Sequence, residues 1–419
     1  MEKVLFLLGA YKPLPSANGI CVDAIIQHLL SEGKKVYCIA YLKPGLLREE
    51  IIDSVKIRRI REPLYLYLYD KSKKEKSIVS SFVLREISKA IDVIKLFSKK
   101  KTFPISSQRL VRSFYEMAES IIEENSIDTI IAVNMPIETI KAVALIKKKK
   151  HTIRSVAYLL DPINGGVHHK LLRQEETKRT RDFENNYLRM MDVVICQKEH
   201  ERHFRSQFNE RELKAFYFLG VPLLQNKIKN SSNQIKKTNY IAIYAGGIDR
   251  KTRNPEYIIN VFKHVKNVTL HMYITNDPSC AIEAVGENAN IVIHGRISHD
   301  ELEQRLEEAD CFISIGNSQT MQAPSKLIEY MSYGKPIIST FRIENDTSRE
   351  YMEKYPLGVM LDEHDLDFER QAKAIEGFLA SHHDEVTYEM ISSFFWQNTP
   401  RAFLDAVEEK NNEYKIDRN

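Results

Sequence analysis

Two stretches of this 419-residue chain bring cations and free backbone amides together in ways that suit an anionic ligand. The first is Ala245-Gly246-Gly247-Ile248-Asp249-Arg250-Lys251-Thr252-Arg253-Asn254-Pro255. The pair Gly246-Gly247 lets a ligand approach the backbone closely, and Arg250, Lys251 and Arg253 can neutralise charge building on a departing diphosphate. The second runs from Ala323 to Thr340 and reads as a short helix followed by a buried strand. Pro324 suits the first helical turn, where its missing N–H costs nothing. Gly334 stops the helix and Lys335-Pro336 turns the chain into Ile337-Ile338. Free amides near Ser325 and Lys326 favour an anion, and Glu329, one turn later, can reach from the same end toward a ligand hydroxyl.

A third constellation, Asp161-Pro162-Ile163-Asn164-Gly165-Gly166-Val167-His168-His169, directly follows the strand-like run Ile153 to Leu160. Asp161 and His168 or His169 are chemically able to orient or deprotonate an acceptor hydroxyl. A plain Asp-Pro turn with two solvated histidines accounts for the same residues. The five cysteines (Cys21, Cys38, Cys196, Cys280, Cys311) have no paired spacing, so they predict buried thiols in a reducing cytoplasm, with no metal site and no redox couple.

The elements that must position these groups alternate strand and helix. Lys3 to Gly9 is a strand; Tyr11 to Gly19 is a loop rich in turn residues, with Ser16, Asn18 and Gly19 near its end. Ile20 to Leu30 is an amphipathic helix and Lys35 to Ala40 the next strand. This is a Rossmann-like opening, but it lacks G-x-G-x-x-G, so no NAD is expected. Strands follow at Asp128 to Val133, Ile153 to Leu160, Asp192 to Cys196 and Lys214 to Leu219, and the polar run 224–238 reads as a linker. A second series comprises Tyr240 to Tyr244, Thr269 to Ile274, Asn290 to His294 and Asp310 to Ile315. The last ends in Gly316-Asn317-Ser318, a loop at the edge where open parallel sheets bind ligands. A helix near Phe368 to Ala380 closes the second domain, and Ser392 to Lys410 reads as a terminal helix. The expected division is 1–222, 239–390 and a tail, 391–419, that packs on the first domain. Fold class is α/β with two Rossmann-like domains.

The segment Pro324-Ser325-Lys326-Leu327-Ile328-Glu329-Tyr330-Met331-Ser332-Tyr333-Gly334-Lys335-Pro336 closely resembles the donor-binding segment of GT-B glycosyltransferases, especially those akin to glycosyltransferase family 4. The resemblance covers nearly the whole chain, most specifically residues 295–340, then 244–255 and 13–19. It implies a GT-B fold whose domains face a cleft. In that family the helix glutamate, here Glu329, holds the ribose of a nucleotide sugar, and amides at the helix start hold its diphosphate. Arg253 matches the family's lysine in the basic loop; the usual arginine place is shifted, leaving Arg250 and Lys251 as looser matches. Gly19 resembles the glycine of the first loop, and Gly295-Arg296-Ile297 the loop that reads the base. Met321, beside Gln322, stands where the family usually has a second glutamate.

By this resemblance the chain transfers a sugar, with retention and without metal or other cofactor, from a nucleotide diphosphate donor (a UDP-sugar favoured) to a hydroxyl of a lipid-linked or glycan acceptor, as in bacterial surface polysaccharide synthesis. A non-catalytic partner subunit of another transferase and a GT-B nucleotide-sugar epimerase are the alternatives. Charge bears on location. Residues 1–220 carry a net +12 and the remainder −8, so the first domain is the one expected to meet an anionic surface. From Leu84 to Lys101, Ile87, Ala90, Ile91, Ile94 and Phe97 share one helical side, while Arg85, Lys89, Lys95 and Lys99 share the other. That pattern fits a basic helix on an anionic membrane, and equally a core helix with a solvated face. No secretory signal, membrane span or nucleic-acid recognition module is read, which predicts a cytoplasmic protein, peripheral at the membrane, with no nucleic-acid partner.

Overall fold

The computed structural model describes all residues except 76, 99–105, 162, 164–173, 230–238, 319–323, 382–384 and 410–419. The chain divides into two compact units. The first takes Met1–Pro222 and the stretch from Pro400 onward; the second is Leu223–Thr399.

The first unit runs β1 (Lys3–Leu7), α1 (Ala17–Ser31), β2 (Lys35–Leu42), β3 (Glu49–Ile52), β4 (Val55–Arg61), α2 (Leu64–Ser72), α3 (Ile78–Ser98), α4 (Gln108–Asn125), β5 (Thr129–Val133), α5 (Glu138–Lys149), β6 (Arg154–Leu159), α6 (Gln174–Leu188), β7 (Val193–Gln197), α7 (Glu201–Arg205), α8 (Glu210–Leu213) and β8 (Phe216–Leu219). Its sheet has the order β3-β4-β2-β1-β5-β6-β7-β8, parallel except for the β3/β4 hairpin. Every residue of β5 and β7 is buried, as expected of apolar strands covered by helices on both faces. The chain steps outward from β1 to β2 and β4, then returns to place β5 on the other side of β1. The order therefore reverses between β1 and β5.

The β3/β4 hairpin was not expected from the sequence. Asp53 and Ser54 (φ 48° and 66°) form its two-residue turn, both in the left-handed region that such hairpin loops require. Nor is the α2/α3 pair simply the predicted basic helix. α3 begins at Ile78, and its inner seam is Ser81, Leu84, Ser88 and Ile91, with the Ser81 and Ser88 hydroxyls donating to the carbonyls of Ser72 and Tyr65. Three residues of the expected apolar face, Ile87, Ala90 and Ile94, are instead exposed, together with Ile78, Val79, Phe82 and Val83. The side chains of Lys95, Phe97 and Lys99 lie outside the described residues.

The second unit contains β9 (Tyr240–Gly246), α9 (Glu256–Phe262), β10 (Val268–Ile274), α10 (Ser279–Val285), β11 (Ile291–His294), α11 (His299–Glu308), β12 (Cys311–Ser314), α12 (Ser325–Met331), β13 (Ile337–Phe341), α13 (Thr347–Lys354), β14 (Gly358–Asp362), α14 (Phe368–Ala380) and α15 (Tyr388–Phe394). Its sheet, β11-β10-β9-β12-β13-β14, is parallel throughout. Here the order reverses between β9 and β12. The core gathers Ala242, Leu270, Met272 and Ile313 from the sheet with Ile258 and Phe262 from α9. Each such buried Leu, Met, Ile or Phe side chain stabilises by roughly 1.5–3 kcal/mol relative to exposure.

The expected single terminal helix over 392–410 is two helices. α15 ends at Phe394, a tight turn spans Trp396–Asn398, and α16 (Pro400–Glu408) restarts the helix. Pro400 explains the break, because proline disfavours helical backbone in the residue before it and is well suited to begin a helix. The return to the first unit thus occurs at Pro400, where α16 packs on α1, β7 and β8. Four of the five cysteines are buried and Cys280 is half-buried.

Candidate functional site

In the second unit a pocket opens at the reversal between β9 and β12, the point where open parallel sheets leave a crevice beyond the strand ends. Its floor is the end of β9 (Tyr244 to Gly246) and the end of β12 (Ile313 to Asn317); Arg253, Ser325 and Lys326 stand on its rim.

The basic loop is built from its own backbone. The Asp249 carboxylate accepts from the amides of Lys251 (2.8 Å) and Thr252 (3.0 Å), which hold its pKa below the usual carboxylate value. Asp249 and Arg253 exchange two backbone hydrogen bonds of 2.9 Å. This turns Arg253 inward, where its guanidinium donates to the Gly247 carbonyl at 3.4 Å. Arg250 instead pairs with Glu283 on the surface, and Lys251 is exposed. Of the three predicted cations, only Arg253 lines the pocket.

The opposite wall is fixed by tyrosine and aspartate. Tyr330 of α12 stacks on Phe312 with ring centroids 4.6 Å apart, and its hydroxyl accepts from the Ala245 amide at 2.8 Å. That bond locks α12 to the end of β9. The buried Asp346 accepts from the Asn317 amide (2.9 Å) with one oxygen and from the Ser348 amide and hydroxyl (2.8 and 2.7 Å) with the other. It therefore caps α13 and anchors the β12 loop together. Gly316 lies between them: a Cβ there would sit 2.6 Å from the Thr340 carbonyl and 2.8 Å from Asp346. Such contacts leave room for glycine alone. Sequence reading placed Gly316 in the loop at the sheet edge but missed Asp346, although Asp-Thr-Ser before a helix is an N-cap pattern.

Pro324 is the residue preceding α12, one place earlier than expected, and it supplies no side-chain cap. Glu329 does not line the pocket. Its carboxylate pairs with Lys326 at 2.6 Å. Burial opposes its charge, but Lys326, Lys227 and His299 outweigh that and hold its pKa below the usual value. Glu329 is thus an ionised acceptor of hydrogen bonds beside the rim. Gly295 and Arg296 are exposed and Ile297 half-buried at the end of β11, two strands away along the same sheet edge. Met321 and Gln322 lie outside the described residues.

In the first unit the predicted groups meet at the β1/β5 reversal. The Asn18 amide donates to the Asn134 carbonyl (3.2 Å), and the Asn134 side chain donates to the Asp161 carbonyl (2.6 Å). Asn134, buried at the end of β5, was not singled out from the sequence. The Asp161 residue itself is exposed. Gly19 is not in the loop as expected. Helix α1 starts at Ala17, so Gly19 lies in its first turn, and its amide is taken by the capping Ser16 hydroxyl at 3.2 Å. A Cβ on Gly19 would lie 2.5 Å from the Ala10 carbonyl, so the residue serves close packing of the loop. His168 and His169 fall outside the described residues.

Residues 225–390 match the model of the family described as glycosyl transferases group 1. Solved structures align over almost the full length at low identity. Sucrose-phosphate synthase from Thermosynechococcus elongatus has TM-score 0.59 and 14% identity, covering 98% of this chain and 99% of that one. A glycosyltransferase from Rickettsia africae has TM-score 0.60 and 11% identity, covering 97% and 98%. A trehalose 6-phosphate synthase from Burkholderia multivorans has TM-score 0.55 and 11% identity, covering 98% and 96%. A search among curated proteins finds no match. The structural likenesses carry the fold, and the family match carries the activity, which is glycosyl transfer.

Proposed function

Taking the chain as a GT-B glycosyltransferase with a group 1 domain in residues 225–390, we propose that it moves a sugar from a nucleotide diphosphate donor, bound in the β9/β12 pocket, to a hydroxyl of a lipid-linked or glycan acceptor. The observation that carries this is the convergence of Arg253, Ser325 and Lys326 on one pocket at the reversal of the second sheet. The acceptor oxygen forms a bond to the anomeric carbon as the bond from that carbon to the diphosphate breaks. The diphosphate departs with its electron pair, and the hydroxyl proton passes to a departing phosphate oxygen.

Arg253 supplies a positive charge for the leaving group, and the Lys326 ammonium, paired with Glu329, adds hydrogen-bond donors beside it, the work a divalent cation would otherwise do. Glu329, ionised and one turn from Lys326, is suited to accept hydrogen bonds from the donor's ribose. The Asn18–Asn134–Asp161 chain at the β1/β5 reversal supports an acceptor-side role for the first unit, with Asp161 to orient the hydroxyl. Retention of configuration, a UDP-sugar donor and action in surface polysaccharide assembly belong to the same proposal.

The exposed apolar face of α3 supports a lipid-borne acceptor. Ile78, Val79, Phe82 and Ile94 are 87%, 72%, 63% and 65% exposed; Arg85 is exposed among them, and the first unit is net positive. Apolar side chains beside basic ones on one helix suit an anionic membrane surface. Among the described residues no helix is long and apolar enough to cross a membrane, so the proposed association is peripheral, at the cytoplasmic face.

Thermal unfolding with UDP, GDP, CMP and dTDP, with and without EDTA, tests the donor site. The expected result is a shift with one nucleoside diphosphate, unchanged by EDTA and lost in Glu329→Ala and Arg253→Ala. No shift with any of them would overturn the donor assignment and favour a non-catalytic partner subunit.

A further inference from the structure

The first unit also holds a pocket away from the β1/β5 reversal. It is an open cavity of ≈ 1460 Å³ beyond the ends of β2 and β4, walled by α2, α3 and the start of α4. Glu62, just past β4, forms part of its wall. This side chain is 8% exposed, and neither carboxylate oxygen has a hydrogen-bond partner among the described residues. Burying a carboxyl group without a partner is costly, so its retention here calls for a partner that arrives from outside.

The remaining charges of the cavity sort into two sets. Lys43 pairs with Asp70, Arg59 with Glu50, Glu49 with Arg58 and Glu116 with Arg112; Glu138 accepts from the Ser107 amide at 2.6 Å. Arg48, Arg61 and Arg109 line the same cavity, are exposed, and have no side-chain partner among the described residues. Three uncompensated guanidinium groups and one orphaned carboxyl thus face a space large enough for a sugar. Tyr65 and Tyr67 add apolar ring surface to the wall.

Resting on the glycosyl-transfer reading above, we propose that this cavity is the part of the acceptor site that holds the phosphorylated end of a sugar, with Arg48, Arg61 and Arg109 on the phosphate and Glu62 on a sugar hydroxyl other than the reacting one assigned to Asp161. Guanidinium groups match phosphate geometry and stay charged at all working pH values, and a carboxylate accepts from hydroxyl donors. Phosphate supplies the anion that the arginines lack, and the hydroxyl supplies the donor that Glu62 lacks. The phosphate is either that of a soluble sugar phosphate or the diphosphate linking a sugar to a prenyl chain.

The test is calorimetric titration of the full chain with glucose 1-phosphate, N-acetylglucosamine 1-phosphate, the two free sugars, and the two farnesyl diphosphate-linked sugars in detergent. The expected result is binding of phosphorylated forms only, weakened at least tenfold in Arg61→Gln/Arg109→Gln and severalfold in Glu62→Gln, with nucleoside diphosphate binding within twofold of wild type. Binding of the soluble phosphates assigns a soluble acceptor, and binding of the farnesyl compounds alone assigns a lipid-borne one; both support the site. Equal binding of free and phosphorylated sugars, unchanged binding in the arginine variant, or no binding by any probe overturns it. If the wild-type chain binds a nucleoside diphosphate but none of these sugars, this inference falls alone; if it binds neither, the donor reading falls with it.

Discussion

Glu62→Gln is a measurable perturbation because the site burdens the folded state with an isolated carboxyl. Burial and the nearby Asp70 raise the Glu62 pKa while Lys43 lowers it, with the net result pushed up to about 7 from an ordinary 4.5. A carboxyl raised on folding contributes its full stability below the unfolded value and loses it as pH climbs through the folded value. That rise corresponds to about 3 kcal/mol well above pH 7, of which about 2.5 kcal/mol develops between pH 5 and pH 8. Glutamine keeps the shape and never ionises, so the variant should approach wild type below pH 4.5 and exceed its stability near pH 8. Fluorescence of Trp396, the only tryptophan, reports the second unit and would miss the effect. Hydrogen–deuterium exchange of β2 and β4 amides reads the first unit directly. Taking the ratio of variant to wild type at each pH removes the chemical exchange rate. Protection in the variant should rise relative to wild type by roughly fifty- to hundredfold from pH 5 to pH 8. A ratio that stays flat would refute the claim that Glu62 is an uncompensated carboxyl in the folded protein.

Gly316→Ala should destabilise the second unit by about 1–3 kcal/mol, since its Cβ meets a backbone carbonyl that cannot move aside; urea unfolding followed by Trp396 fluorescence checks this. Asp346→Ala should cost about 1–3 kcal/mol by orphaning the buried Asn317 amide and removing the α13 cap; the same assay reads it, and a loss under 0.5 kcal/mol would contradict the anchoring role. Glu329→Ala should weaken nucleoside diphosphate binding at least tenfold without lowering the unliganded melting temperature by more than a few degrees. Phe82→Ser with Ile78→Ser should abolish flotation with anionic liposomes while leaving unfolding unchanged, because both side chains are already exposed; undiminished flotation would exclude the α3 face as the contact.

Where burial alone decides structure, the sequence was readable. Uninterrupted apolar runs such as Ile130 to Val133 and Val193 to Cys196 can hardly be anything but strands covered on both faces, and the step from β12 through Gly334 (φ 60°) into β13 announced itself through glycine and proline. Features that depend on contacts distant along the chain were not readable. Asp53-Ser54 lacks the glycine that flags a hairpin, and the α3 seam uses serines bonded to α2 carbonyls, which no hydrophobic period reveals. Arg250, Lys251 and Arg253 look alike in sequence; the Asp249 turn separates them by facing one inward. Glu62 followed by Pro63 reads as an ordinary surface turn, and only the closure of α2 and α3 over it makes it a buried charge.

The return of the chain at Pro400 has a consequence for how the protein is made. Residues Leu223–Thr399 are contiguous and can complete their core as soon as they leave the ribosome. The first unit cannot, since α16 supplies Phe403, whose ring meets Tyr158 edge-on with centroids 4.9 Å apart, and Arg401, which pairs with Glu32 at 2.8 Å. All 177 residues of the second unit are therefore synthesised while the earlier-born sheet waits with an apolar strip along α1, β7 and β8 uncovered. Domains generally fold in order of emergence during synthesis; here the later one finishes first, and the exposed strip is the surface that a chaperone, or a second nascent chain, would meet in that interval.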